Sequence, residues 1–152
     1  MNDNSSKAKY AYNKTYLQLA PAGVAEWVVP STVRVISVGA FAPCGSTLKT
    51  ICLQDGLESI MDGAFCRCEK LTTVTIPRSV KYLGKDVFYD CPNLYSVKIL
   101  GDPLFDGRLY FRCPSLRKVL NKDGMNIYMD VGRIEDRDRD QTSLFQFREA
   151  PA

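Results

Sequence analysis

The stretch that decides the fold is Ile76-Pro77-Arg78-Ser79-Val80-Lys81-Tyr82-Leu83-Gly84-Lys85-Asp86-Val87-Phe88-Tyr89-Asp90-Cys91-Pro92-Asn93-Leu94. It starts on an apolar residue, turns at Pro77-Arg78-Ser79, steps through Val80 and Leu83, and reaches Val87-Phe88 and then Cys91. Pro92-Asn93 turns the chain again, and Leu94 starts the same order afresh. Working outward, the landmarks recur. The aromatics Phe41, Phe65, Phe88 and Tyr110 are separated by 24, 23 and 22 residues. A cysteine follows each one three residues later: Cys44, Cys68, Cys91 and Cys113. A leucine follows each cysteine: Leu48, Leu71, Leu94 and Leu116. Ile36, Ile60, Leu83 and Phe105 precede the aromatics by five residues. Self-similarity at a fixed period of this size is the mark of a stacked repeat architecture.

Each unit opens with an L-x-x-V-x-I pattern: Leu48-Ile51-Leu53, Leu71-Val74-Ile76 and Leu94-Val97-Ile99. A degenerate copy, Val24-Trp27-Val29, comes before them, and a fading one, Leu116-Val119-Asn121, comes after. The V-x-I part alternates with period two and is rich in β-branched residues, which predicts a short strand with one buried face. One unit cannot bury its own apolar side. Stacked copies can, because each column then meets the same column in its neighbours. The Leu column, the Trp27/Ile51/Val74/Val97/Val119 column and an aromatic spine of Phe41, Phe65, Phe88 and Tyr110 are the expected core.

The string from Ile76 to Leu94 resembles the BspA-like leucine-rich repeat, whose pattern runs I-P-x-S-V-x-x-I-G-x-x-A-F-x-x-C-x-x-L. Val29-Pro30-Ser31-Thr32-Val33 through Phe41 and Cys44 follows it, as does Leu57-Glu58-Ser59-Ile60 through Ala64-Phe65 and Cys68. The resemblance covers about residues 24–121. The first unit carries an extra residue between Cys44 and Leu48, Asp102-Pro103 replaces S-V in the fourth, and only Gly84 keeps the glycine of the I-G pair. The resemblance implies a leucine-rich-repeat solenoid, α/β or mainly β. It would be a short right-handed superhelix of about four to five units of 22–24 residues, with a parallel β-sheet on its concave face. It also implies a role in recognition, in adhesion or protein contacts, and no catalytic residues.

Composition narrows the chemistry. A chain of 152 residues is long enough for one sizeable core. There is no His, which removes Ser-His-Asp triads, Cys-His pairs, His-ligated metals and an imidazole pH switch. The turn carboxylates Asp55, Asp62, Asp86, Asp90 and Asp106 form no readable pair, and no G-x-x-x-x-G-K-[ST] motif is present. The expectation is no enzyme, no cofactor and no metal. A net charge of +3 is too mild to imply nucleic acid. No run of 18 apolar residues predicts membrane insertion by a helix.

Four of the six cysteines fall in one repeat column, so they read as buried thiols donating weakly to loop carbonyls. Neighbours in the column lie within disulfide reach, and a disulfide or a zinc site are the competing readings. Cys66-Arg67-Cys68 has C-x-C and not C-x₂-C spacing, against zinc. Cys52 occupies an outward strand position, as a surface thiol.

The unlettered strand positions face solvent on the concave side. One column is Ala25, Lys49, Thr72, Tyr95 and Arg117. The next is Glu26, Thr50, Thr73, Ser96 and Lys118, and the last is Val28, Cys52, Thr75, Lys98 and Leu120. A solvated β-face explains the Thr and Ser content. The functional reading is a binding patch of Lys49, Thr73, Thr75, Tyr95, Lys98, Arg117 and Lys118, because Tyr and Arg are over-represented at hot spots.

The domain plan is an N-terminal cap at 1–23, repeats at 24–121, and a C-terminal cap with a charged tail at 122–152. Tyr10, Tyr12, Tyr16, Leu17 and Leu19 would close one end, and Met125, Ile127, Tyr128, Met129 and Val131 the other. The tail run Glu135-Asp136-Arg137-Asp138-Arg139-Asp140 has the spacing of a calcium loop. Gln141 and Phe147 stand where such a loop needs Gly and Glu, so a solvated segment is expected. The tail could also lie on the basic concave face as a weak self-contact.

The leading expectation is a non-catalytic module binding another protein through its concave face. The alternative is a structural or adhesin-like segment of a larger cell-surface protein, for which open ends and self-association would speak. The polar N-terminus shows no signal peptide and buried thiols suit a reducing compartment, so the chain as written reads as cytoplasmic. A removed leader would place it at the cell surface or outside the cell.

Overall fold

The computed structural model describes residues 7–134. The chain opens with β1 (Lys9–Ala11) and β2 (Tyr16–Leu19), then runs through β3 (Glu26–Val28) and β4 (Val35–Ile36). A 3₁₀ turn at Ala42–Cys44 leads to β5 (Thr50–Cys52) and β6 (Ser59–Ile60). Next come β7 (Thr73–Ile76), β8 (Tyr82–Leu83), β9 (Phe88–Tyr89), β10 (Ser96–Ile99) and β11 (Leu104–Phe105). β12 (Tyr110–Phe111), β13 (Lys118–Leu120) and the single-turn helix α1 (Tyr128–Val131) follow. The result is a parallel β-solenoid of about five turns.

The V-x-I pattern forms the expected strands. β7, β10 and β13 pair in parallel, with Thr73↔Ser96↔Lys118 and Val74↔Val97↔Val119 in register. β3 pairs with β5 as Glu26↔Thr50, Trp27↔Ile51 and Val28↔Cys52. The concave sheet is therefore in two pieces, where the sequence predicts one: β5 and β7 are neighbours along the stack but are not hydrogen-bonded to each other. The break falls where the link from Cys to Leu shortens, from Cys44–Leu48 to Cys68–Leu71.

The second apolar step of each unit also becomes strand, two residues long. β4, β6, β8 and β11 pair in parallel and continue through β2 and β1 into one six-stranded sheet. The turns before them close as expected, with the N–H of Val33 on Pro30 O at 3.0 Å and that of Val80 on Pro77 O at 3.2 Å. A third ladder joins β9 to β12.

Between the sheets the leucine and phenylalanine columns are buried, whereas in the neighbouring column Val74, Val97 and Val119 are buried but Trp27 and Ile51 only half-buried. Leu48, Leu71, Leu94 and Leu116 are all fully buried, and so are Phe41, Phe65 and Phe88. The rings of Phe41 and Phe65 stack with centroids 4.3 Å apart, and those of Phe65 and Phe88 at 5.4 Å. Full burial of each such ring is worth roughly 1.5–3 kcal/mol. Tyr110, the fourth of the column, is half-buried, stacks on Tyr128 at 5.0 Å and donates its hydroxyl to Tyr128 O at 3.0 Å.

The cysteine column is buried too. Cys91 Sγ donates to Phe65 O at 3.0 Å, and Cys113 Sγ to Phe88 O at 3.2 Å, so each thiol ties its turn to the spine of the turn before. Burial pushes the Cys44 thiol up to about 11 and the Cys68 thiol up to about 12. The residue before the cysteine is left-handed in three successive turns, at Arg67, Asp90 and Arg112. That twist aims the N–H of Arg67 at Tyr89 O and that of Asp90 at Phe111 O, both at 2.7 Å. Gly84 sits close on the turn below, where a Cβ would come within 2.5 Å of the Asp62 backbone nitrogen.

Candidate functional site

All seven residues of the expected patch lie on the outer surface of the concave strands or beside them. Lys49, Thr73, Thr75, Tyr95, Lys98, Arg117 and Lys118 are exposed, with Tyr95 at 48%. Strand pairing fixes who stands next to whom. Ser96 is beside Lys118, Thr75 beside Lys98, and Lys98 beside Leu120. Rungs of such a ladder are about 4.7–4.9 Å apart, so Tyr95, Lys98, Arg117 and Lys118 form one compact cluster on two adjacent strands. Lys49 stands apart, across the break between β5 and β7.

Arg117 is held rather than loose. Its Nη1 donates to Pro114 O at 2.8 Å and to Leu116 O at 3.1 Å, which fixes the guanidinium against its own turn. A side chain already ordered loses less freedom when a ligand arrives. The charge is graded along the face. Four cations sit among the patch residues, while the first strand carries Glu26, whose Oε1 accepts from the Thr50 hydroxyl at 3.4 Å. Nothing in this arrangement pairs a nucleophile with a base.

Two groups of surface residues escape the V-x-I columns. On the β9–β12 ladder, Phe111 lies beneath the Arg108 guanidinium, 3.8 Å from ring centroid to Cζ, with Tyr89 at 5.7 Å. Arg108 is also paired with Asp86 by Nε–Oδ1 at 2.7 Å. This cluster shows in sequence only as the column one residue past each aromatic. The other is Asn126, whose side chain stands in for a strand. Its Oδ1 accepts from Val119 N–H at 3.0 Å and its Nδ2 donates to Arg117 O at 3.2 Å, covering the outer edge of β13. No spacing in the sequence flags it.

Of the residues expected to close the ends, some are buried and others, such as Tyr12, are exposed. β1 and β2 form an antiparallel hairpin, and Leu17 is fully buried against the stack. At the other end Ile127 and Val131 are buried, whereas Met125 and Met129 are about half exposed. The mixed-charge run at 135–140, and with it the tail contact with the concave face, lies outside the described residues. Among the described residues no helix is long and apolar enough to cross a membrane.

Comparison with known proteins matches this geometry. Residues 21–127 match the BspA type leucine-rich repeat region in six copies. A leucine-rich repeat protein from Eubacterium ventriosum is similar, at 29% identity and a TM-score of 0.65, over 74% of this chain and 31% of that one. The pneumococcal vaccine antigen PcpA shares the fold at 21% identity and a TM-score of 0.53, over 74% of this chain and 34% of its own. The chain thus spans about a third of the length of these two solved structures. No curated protein matches it. The repeat columns, the stacked turns and the match over residues 21–127 agree, and the chain belongs to the BspA-type leucine-rich repeat family.

Proposed function

We propose that this protein is a non-catalytic binding module that recognises another protein through the concave face of its solenoid. The observation that carries the reading is the cluster of exposed Tyr95, Lys98, Arg117 and Lys118 on two paired strands, with Arg117 pre-ordered by its own turn. Thr73 and Thr75 flank it on β7 and Lys49 extends it beyond the ladder break. An aromatic ring amid cations on a rigid sheet suits a partner surface that offers carboxylates around an apolar patch. Extended concave faces of this kind are where stacked repeats bind. Nucleic acid and a membrane are not expected partners.

The test is capture of a partner from source-cell lysate by the wild-type chain and by a Tyr95→Ala/Lys98→Glu variant. The expected result is loss of a specific band with an unchanged melting curve. Equal capture by both proteins would refute the patch. The length relation supports a second reading, in which the chain acts as an adhesin-like segment of a larger cell-surface repeat protein. A longer transcript carrying further repeats in frame would favour it.

A further inference from the structure

The strand edges at the two ends of the solenoid are not treated alike. The outer edge of β13 is covered by the Asn126 side chain and by Ile127, whose N–H reaches Val119 O at 2.7 Å. The outer edge of β2 is covered by β1. β1 itself is interrupted by a register shift at Lys9/Tyr10 and carries an exposed lysine, two features that discourage further pairing. Among the described residues β3 has no covering strand or side chain and no register shift, and its one exposed charge is Glu26. Ala25 and Val29 bond towards β5, through Ala25 O with the N–H of Lys49 and Val29 N–H with Cys52 O. By strand alternation Glu26 and Val28 point their N–H and C=O groups the other way. There β3 has no paired strand among the described residues. Val28 is 55% exposed and Glu26 is exposed; Trp27 is half-buried, as is its pair Ile51, whereas Val74, Val97 and Val119 further along the column are buried. Among the described residues, the turn that precedes β3 supplies a strand to the six-stranded sheet, β2, and none to the concave side.

We propose that the outer edge of β3 accepts an extended segment of a partner protein as an added parallel strand. The register of the stack defines its chemistry. It would place a basic side chain beside Glu26, an apolar one over Trp27 and another apolar one beside Val28. Unpaired backbone groups supply the attachment, and the alternating side chains supply the selection, as in other strand-addition sites. Glu26 is the charged side chain of β3, and it favours a basic residue at the first of those positions. The pattern is met by this protein's own Leu116-Arg117-Lys118-Val119-Leu120, which puts Lys118, Val119 and Leu120 in the columns of Glu26, Trp27 and Val28. This site is separate from the Tyr95 cluster and does not rest on it.

The probe is a synthetic peptide of residues 114–122, titrated into the full chain while backbone amides are followed by NMR. Saturable shifts at 26–28 and slowed hydrogen exchange of the Glu26 and Val28 amides are expected. Val28→Pro removes an outward N–H without touching the bonds to β5. It should weaken the peptide by about ten-fold and leave the urea midpoint and the Tyr95-dependent capture unchanged. Glu26→Lys should weaken it too, and a peptide with Lys118→Glu should restore binding to that variant. No saturable shift up to about 1 mM, or equal affinity for Val28→Pro, overturns the proposal. A concentration-dependent dimer abolished by Val28→Pro, with no peptide binding, also overturns it, by making a second copy the occupant.

Discussion

The phenylalanine column shows how a single residue type carries the stack. Phe65 is enclosed by Phe41 on one side and Phe88 on the other. Truncation leaves a cavity in the middle of the spine that neither neighbour can fill without moving a turn. Phe65→Ala should cost about 3–5 kcal/mol, and an unchanged thermal midpoint would show the column is not the core. The thiols add a pH dependence. Cys44 rises from 9.0 to about 11 and Cys68 from 9.0 to about 12 in the folded chain. The unfolded chain loses these protons first, so the folded state holds more protons above 9.0. Stability from this source is complete below that value and declines as pH climbs through 11 to 12. Urea midpoints measured across the window should fall, and Cys68→Ala should fall less steeply. The burial of these residues was legible in the sequence because each repeats in a column. Their partners were not, since the carbonyls that accept from Cys91 and Cys113 belong to the turn before.

At the scale of the element, legibility depended on length. The V-x-I strands announce themselves by alternation. β4, β6, β8, β9, β11 and β12 are two residues each, too short for any period to appear, and they exist because neighbouring turns pair them. The break between β5 and β7 was likewise hidden, because both strands carry the same alternation as their paired neighbours; it coincides with the change in the Cys-to-Leu link. β13 illustrates how one side chain can finish an element. Asn126 returns to β13 both the acceptor and the donor that a next strand would have supplied. Asn126→Ala strands the Val119 N–H and should cost about 1–3 kcal/mol. Faster hydrogen exchange at the Val119 amide would accompany the loss. An unaltered exchange rate there would mean water replaces the amide without penalty.

For the whole molecule, the sequence defined the architecture and left the use of its surfaces open. The columns made a stacked solenoid unavoidable, since no unit buries its own apolar face. The candidate patch was legible only as exposure, because outward positions follow from strand period whatever their purpose. The pre-ordering of Arg117 and the bare edge of β3 needed the three-dimensional stack. The split in the concave sheet has one more consequence. Across that same junction β6 and β8 remain paired, and Phe65 still stacks on Phe88. The second and third turns are thus fastened along one wall and unfastened along the other. At this junction the β6–β8 pairs and the ring stack hold one turn to the next, and among the described residues no ladder on the concave side shares that role.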